Sequence, residues 1–377
     1  MQSSGSAALG TAPGAGSAWF GGRHARDLVE VSDDPAVLDS GGWWAVMITF
    51  EGECRFWRFA HVDMAELPDL PQVLGAPPWL GPPADGWRSS LDRLAYQSGV
   101  GEIRRRIRDG DVYQVNLCRV LTAELPAGEP SSPWALAQRL AVGNPAPYAG
   151  VIDVPERSGV PRTRVVVASP ELFLERDADL VRSGPIKGTG ATEADLLPKD
   201  EAENVMIVDL VRNDLQRVGR PGTVAVPALL QVERHPGLVH LVSTVETRLR
   251  VGAGWADLLA ATLPPGSVSG APKSSALRAI EDLEPVPRGP YCGAVGFVDA
   301  DRGYARLAVG IRTFWWRGDR LCFGTGAGIT WDSDPSREWA ETELKAARLI
   351  GLASDHPRGG HRIDQVSSRA TAASRSR

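Results

Sequence analysis

Apolar and polar positions alternate from Trp43 to Ala60 (WWAVMITFEGECRFWRFA), which predicts a β-hairpin turning at Glu51–Gly52. Proline and glycine crowd residues 68–85, which read as an irregular linker. A helical period follows over 98–109, where Ile103 and Ile107 share one face and Arg104, Arg105, Arg106 and Arg108 fall mostly on a solvated side. Gly110 ends that helix, and Val112–Leu121 returns to strand with Gln114 and Asn116 on the same side. Ser132–Val142 reads as a helix; Tyr148–Val154, Val165–Ser169 and Leu172–Glu175 read as strands. A further short strand leads into the turn Pro185-Ile-Lys-Gly-Thr189.

The second half continues the alternation. Pro198–Val218 forms a long helix stopped by Gly219 and Pro221, with Val205, Met206, Val208, Val211 and Leu215 on its buried side. Leu238–Leu249 is a strand carrying His240, and PPGSVSGAPK (264–273) is a glycine-rich loop entering a helix from near Pro272 to Leu283. Cys292–Asp299, Tyr304–Trp316 and Arg320–Gly324 make an antiparallel meander. A second glycine-rich loop over 324–330 precedes a last helix, capped by Asp334 with Pro335 in its first turn. Locally paired strands with helices between them predict an α+β chain, a mixed sandwich built largely on antiparallel sheets. Residues 1–20 read as a disordered start and 355–377 as a frayed tail.

Composition narrows the class. With 377 residues, 43% hydrophobic and 23% charged, the chain suits a soluble globular protein of one large or two ordinary domains. A net charge of −5 and no basic stripe among aromatics exclude a nucleic-acid footprint. Charges interrupt every apolar run before it reaches a membrane span, and the N-terminus lacks the pattern of a secretory signal. Cys54, Cys118, Cys292 and Cys322 are scattered without CxxC spacing, which suits reduced, mostly buried thiols in a cytoplasmic protein.

The candidate chemistry lies in the second half. Taken alone, Lys187 is a solvated turn lysine; buried, its amine becomes a usable nucleophile. Asp200/Glu203 and Glu338/Glu341 are carboxylate pairs at i, i+3, solvent-facing if apart and an oxygen-rich Mg²⁺ site if they face each other. The loops 266–270 and 324–328 offer backbone N–H groups to an anion, although neither is a Walker A loop or a dinucleotide fingerprint. Arg312, in a predicted strand, reads either as a carboxylate clamp or as a surface ion-pair partner. Together these suggest a small substrate carrying several carboxylates.

Nine stretches in order over about 110–350 carry a resemblance: GDVYQVNLCR (110–119), SPELFLERD (169–177), GPIKGT (184–189), AENVMIVDLVRNDLQRVG (202–219), HLVSTVE (240–246), PPGSVSGAPK (264–273), GAVGF (293–297), GIRTF (310–314) and GTGAGI (324–329). The chain resembles the chorismate-utilising enzymes, and among them aminodeoxychorismate synthase component I, the large subunit of para-aminobenzoate synthase. That resemblance implies a four-layer α/β sandwich with two large, mainly antiparallel sheets and outer helices. It also implies a chorismate-binding catalytic domain over 91–354; the sheet subdomain ahead of it, over 21–90, is shorter than the family's usual one with its tryptophan pocket, so a tryptophan site is not expected here.

The implied chemistry is the amination of chorismate to 4-amino-4-deoxychorismate, on the way to para-aminobenzoate and folate; the alternatives are an anthranilate synthase component I that tolerates Lys187 and a non-catalytic chorismate-binding subunit. A separate glutamine amidotransferase subunit would supply the ammonia. Lys187 stands where anthranilate synthases usually carry Ala, and by resemblance it attacks the ring while Glu171 protonates the departing hydroxyl. His240 faces the ring region. Gln114 stands where isochorismate and salicylate synthases carry a water-activating lysine, and Ser267 where anthranilate synthases more often have Thr. By the same resemblance Mg²⁺ is held by Glu203 and Glu341, with Asp200 and Glu338 acting through waters. It would tie down one carboxylate alongside the amides of Gly326, Ala327 and Gly328, with Arg312 on the other; Thr189 and Lys273 line or support the site.

Overall fold

The computed structural model describes residues 7–8, 14–69, 74–75, 77–127, 131–157, 159–190, 192–196, 198–235 and 238–354. The tail at 355–377 lies outside these. The disordered start expected over 1–20 is corrected for its last part, because Gly14–Phe20 is a strand. Its neighbours on both sides supply a backbone ladder, which the local composition does not reveal.

Leaving aside three two-residue pieces, the strands are β1 Gly14–Phe20, β2 Arg23–Ser32, β3 Trp43–Ile48, β4 Cys54–Met64, β5 Gln114–Glu124, β6 Tyr148–Val154, β7 Thr163–Ser169 and β8 Leu172–Asp177. They continue with β9 Leu180–Gly184, β10 Ile186–Gly190, β11 Ala225–His235, β12 Leu238–Arg248, β13 Ala294–Asp299, β14 Tyr304–Val309, β15 Thr313–Arg317 and β16 Arg320–Ile329. The α-helices are α1 Arg93–Arg108, α2 Pro133–Gly143, α3 Pro198–Gln216, α4 Trp255–Thr262, α5 Lys273–Leu283 and α6 Pro335–Ala353.

Every pairing among these strands is antiparallel. One sheet runs β5–β16–β15–β7–β6–β1. The other runs β2–β4–β3–β13–β14–β8–β9–β12–β11, with β10 also on β12. The β1–β2 hairpin joins the two. The predicted hairpin at Glu51–Gly52 is present, with Ile48 opposite Cys54.

The sheets face each other across one core, in which Val120, Ile152, Val165 and Trp315 of the first meet Trp44, Phe56, Phe173 and Leu307 of the second. Each fully buried Phe or Leu there contributes about 1.5–3 kcal/mol. On the outer face of the first sheet, Trp134 and Leu140 of α2 and Ala346 and Leu349 of α6 cover Val151, Val166 and Phe314. Helices α1 and α5 cover the β5–β16 end through Tyr96, Val100, Ile103, Ala276 and Ile280. On the second sheet α3 and α4 bury Val208, Val211, Leu215, Leu258 and Leu259. The order is therefore helices, sheet, sheet, helices: an α+β four-layer sandwich.

Four local expectations change. Val205 faces solvent, because the buried stripe of α3 runs through Ile207, Val208 and Val211. Residues 324–328 are strand, not loop: β16 pairs with β5 from Arg320 to Ile329. The strand expected over 304–316 breaks after Val309, and Arg312 sits in the link with φ +51°, outside both β14 and β15. Strands β2 and β11 and helix α4 were not predicted.

Candidate active site

The site begins at a bulge. Ile186 of β10 pairs with Val242 and Thr189 with His240, so three steps on β10 match two on β12. The extra residue falls at Lys187–Gly188 and re-aims the lysine side chain. Gly188 has φ +84°, and a Cβ there would meet Asp200 Cβ at 2.9 Å, so only glycine lets α3 come this close to the strand. Lys187 Nζ donates to the Ser267 carbonyl at 3.2 Å.

Glu171 lies in the turn between β7 and β8 and is 5% exposed. Its backbone is fixed at both ends: its N–H donates to Ser169 Oγ at 3.1 Å and its carbonyl accepts from Val309 N–H at 3.0 Å. Burial raises its side-chain pKa above the ordinary glutamate value. The Ser267 hydroxyl, the Lys187 ammonium, the Ile186 amide and the Lys345 ammonium all pull the other way. A carboxyl placed so holds its proton longer than a solvated one, as an acid for a leaving oxygen must.

Opposite stands the β5–β16 wall. Asn116 N–H donates to Ser269 O and Cys118 N–H to Glu284 Oε1, both away from β16. In an antiparallel ladder the residues facing them, Gly328 and Gly326, then also point their amides and carbonyls outward. Beyond Phe323 no β15 partner remains, so those N–H groups line an open edge. A Cβ at Gly328 would collide with Gln114 Nε2 and come within 3.8 Å of Lys187 Nζ, which brings Gln114, Gly328 and Lys187 together. Gln114 is 2% exposed, and its Oε1 has no hydrogen-bond partner among the described residues.

A buried ion pair locks this wall. Arg288, 1% exposed, binds Glu284 Oε1 at 2.6 Å and Oε2 at 2.8 Å. It also donates to Val268 O at 2.9 Å and Asn116 O at 2.7 Å. The turn that presents Ser267 is thereby tied to the strand that presents Gln114.

Two helices bring the acids. Asn204, fully buried, donates to Leu241 O at 3.1 Å and accepts from Ser243 Oγ at 2.5 Å, docking α3 on β12. Asp200 packs against Gly188, with Glu203 half-buried nearly one turn further on. Helix α6 is fixed by Arg119, which stacks over Trp339 and donates to Thr342 Oγ1 at 3.0 Å, and by Thr325 Oγ1 on Thr342 O at 2.9 Å. On α6, Glu338 accepts from Ser333 Oγ at 2.7 Å, while Glu341 pairs at 2.6 Å with Lys345, whose Nζ also donates to Gly326 O at 3.2 Å. Among the described residues no three His, Cys, Asp or Glu side chains form a metal-holding group. The all-oxygen donor set has the chemistry Mg²⁺ requires, with the Lys345 ammonium competing for Glu341.

The remaining expectations divide. Half-buried Arg312 has no acid partner among the described residues; burial and then the charge of Arg348 lower its pKa. His240 is 3% exposed on β12, across from Thr189 and Glu233. Lys273 is engaged elsewhere: it pairs with Asp214 at 2.6 Å and donates to Thr262 O at 3.3 Å, behind the Ser267 turn, because the start of α5 points its first side chain at α3. Three contributors were not predicted: Lys345, the Glu284–Arg288 pair and Asp214. Only the i, i+4 spacings of Glu341–Lys345 and Glu284–Arg288 signal them in the sequence.

A buried carboxyl, an amine and an open row of amides within a four-layer antiparallel sandwich define an enzyme-type site for an anionic substrate. Residues 62–351 match the family described as chorismate binding enzyme, and the chain belongs to it. Its relatives include an anthranilate synthase component 1 of Haloarcula marismortui, 39% identical over 74% of this chain and 57% of that protein. Another is an aminodeoxychorismate synthase component 1 of Klebsiella aerogenes, 38% identical over 70% and 59%. The chain thus spans a little over half the length of the curated relatives it matches. Among solved structures it is similar to anthranilate synthase component I from Streptococcus pneumoniae, with a TM-score of 0.70 and 25% identity over 93% of each chain. The menaquinone-specific isochorismate synthase from Escherichia coli shares the fold, with a TM-score of 0.74 and 19% identity over 91% of this chain and 90% of that one.

Proposed function

We propose that the protein aminates chorismate at C4, giving 4-amino-4-deoxychorismate for para-aminobenzoate and folate synthesis in the cytoplasm. The observation that carries this reading is Lys187: a bulged strand aims its amine at Ser267 O, beside Gln114 and Gly328 and facing buried Glu171. Lys187 Nζ attacks the ring, Glu171 gives its proton to the departing hydroxyl, and ammonia then displaces the lysine. The open amides of Gly326 and Gly328 and the guanidinium of Arg312 receive the two carboxylates, with His240 and Thr189 at the ring. Glu203 and Glu341, with Asp200 and Glu338 through waters, would hold Mg²⁺, which would supply positive charge against one carboxylate. The ammonia comes from a glutamine amidotransferase subunit. No helix among the described residues is long and apolar enough to cross a membrane.

A second reading has specific support. Relatives at 36–39% identity are named anthranilate synthase component 1 as well as aminodeoxychorismate synthase component 1. One assay separates them: chorismate, Mg²⁺ and high ammonium at mildly alkaline pH, with the product identified by mass and pyruvate assayed. An aminated product that keeps its enolpyruvyl group supports our reading; anthranilate with equimolar pyruvate overturns it. Lys187→Ala should cut amination by about a hundredfold or more, and an unchanged rate and product would remove Lys187 from the mechanism.

A further inference from the structure

Beside Glu171 lies a cavity of about 20 Å³ between the second sheet and α3. That is room for about one ordered water. Its walls are mostly apolar, with Val211, Leu215 and Val309 among them, but polar groups touch it: Glu171 and Ser183 on the sheet side, Asp214, Thr262 and Ser267 on the side of the helices and the Ser267 turn. Asp214 is 6% exposed and pairs at 2.6 Å with Lys273, which is more open to solvent. A buried acid thus shares a water-sized space with a buried ion pair that reaches the surface.

We propose that Asp214 and Lys273 form a proton conduit to Glu171, through one water held in this cavity. The inference rests on the chorismate reading for the event that deprotonates Glu171. Once Glu171 has given its proton to the leaving hydroxyl, the cavity water donates a proton to the Glu171 carboxylate. The proton that replaces the water's comes from Lys273 Nζ by way of the Asp214 carboxylate, which accepts it and passes it on, and Lys273 regains one from solvent. Each group ends as it began, and the proton entering from solvent balances the one shed at the site mouth by the incoming nitrogen. The charged and polar groups facing Glu171 are Ser267, Lys187, the Ile186 amide and Lys345; those facing Asp214 are Lys273 and Arg217. Burial raises the pKa of both carboxyls, which suits a relay in which each is protonated in turn. Asp214 does not touch the substrate, so it is a positioning and relay residue.

The test uses the full chain and two variants. Asp214→Asn removes the relay acid, and Val211→Ile fills the cavity with a methyl while leaving the ion pair intact. The first readout is the infrared carboxyl band of Glu171, assigned by its loss in Glu171→Gln; the second is kcat and its solvent deuterium isotope effect. We expect the band to move in both variants. Kcat should fall about tenfold to a hundredfold with KM for chorismate unchanged, and the isotope effect should rise. An unmoved band and wild-type kcat in Val211→Ile overturn the proposal, even if Asp214→Asn is impaired through lost stability. A wild-type chain that never consumes chorismate overturns the proposed function instead, while the infrared band still tests the conduit.

Discussion

The Glu284–Arg288 pair lies at the junction of the Ser267 turn, β5 and α5, and its removal can be worked out from the structure. Arg288→Met leaves Glu284, whose side chain is 6% exposed, facing Cys118 N–H with no cation, and strips a donor from Val268 O and Asn116 O. Glu284→Gln leaves the guanidinium, 1% exposed, over the Phe50 ring with carbonyl partners alone. Breaking one side of such a pair costs about 3–5 kcal/mol. For a chain of 377 residues that lowers Tm by roughly 4–6 °C. Replacing both residues, as Glu284→Gln with Arg288→Met, removes the orphaned charge together with its partner, so the double variant should be no less stable than either single. Thermal and urea unfolding of all four proteins give the cycle. Single effects that add within about 0.5 kcal/mol would refute the argument that the charges depend on each other.

Gly328→Ala should lower kcat/KM at least tenfold, because the added methyl displaces the Gln114 amide, at an overpacking cost of about 1–3 kcal/mol; full activity in steady-state assays would contradict this. Asn204→Ala should destabilise by about 1–3 kcal/mol in urea, since Leu241 O and Ser243 Oγ lose a buried partner. Glu171→Gln should stabilise the fold at neutral pH while abolishing turnover. Because the folded-state pKa of Glu171 is raised, the native protein holds a proton that the unfolded chain releases. Stability is therefore lost as pH rises from the ordinary glutamate value through the raised one, and stays lost above it. Melting curves should show the variant's advantage at pH 7–8 and none near pH 4; an advantage independent of pH would sink that account.

Most of the sandwich was legible as pattern. Alternation marked β3 and β4, and the 3.6 period marked α1 and α3, because their apolar stripes meet the core directly. Gly324–Ile329 misled, since glycine is read as loop wherever nothing local explains it. Here Gly324, Gly326 and Gly328 face the Tyr291 ring, Cys118 Sγ and the Gln114 amide in turn, partners far away in the sequence that leave no room for a Cβ. Arg312 misled for the opposite reason: the strand-like runs before and after it hide a left-handed residue between two strands. Of the site, the residues standing in recognisable runs were visible. Lys345 and Asp214 acquire their roles only from what the fold sets beside them.

The β5–β16 ladder also bears on how the chain is made. Val115 pairs with Ile329 and Glu124 with Arg320, so β5 leaves the ribosome long before its partner exists. Trp43–Asp299 pairing imposes a similar wait on β3. Until the last third of the chain is synthesised, both strands carry apolar side chains and unpaired backbone edges, the features that invite chaperone binding or misassociation. Nascent chains arrested before residue 320 should therefore bind holdase chaperones and remain protease-sensitive, and chains arrested well beyond 353 should resist. Competence for chemistry arrives late and all at once, when the final strand and helix close over what was made first.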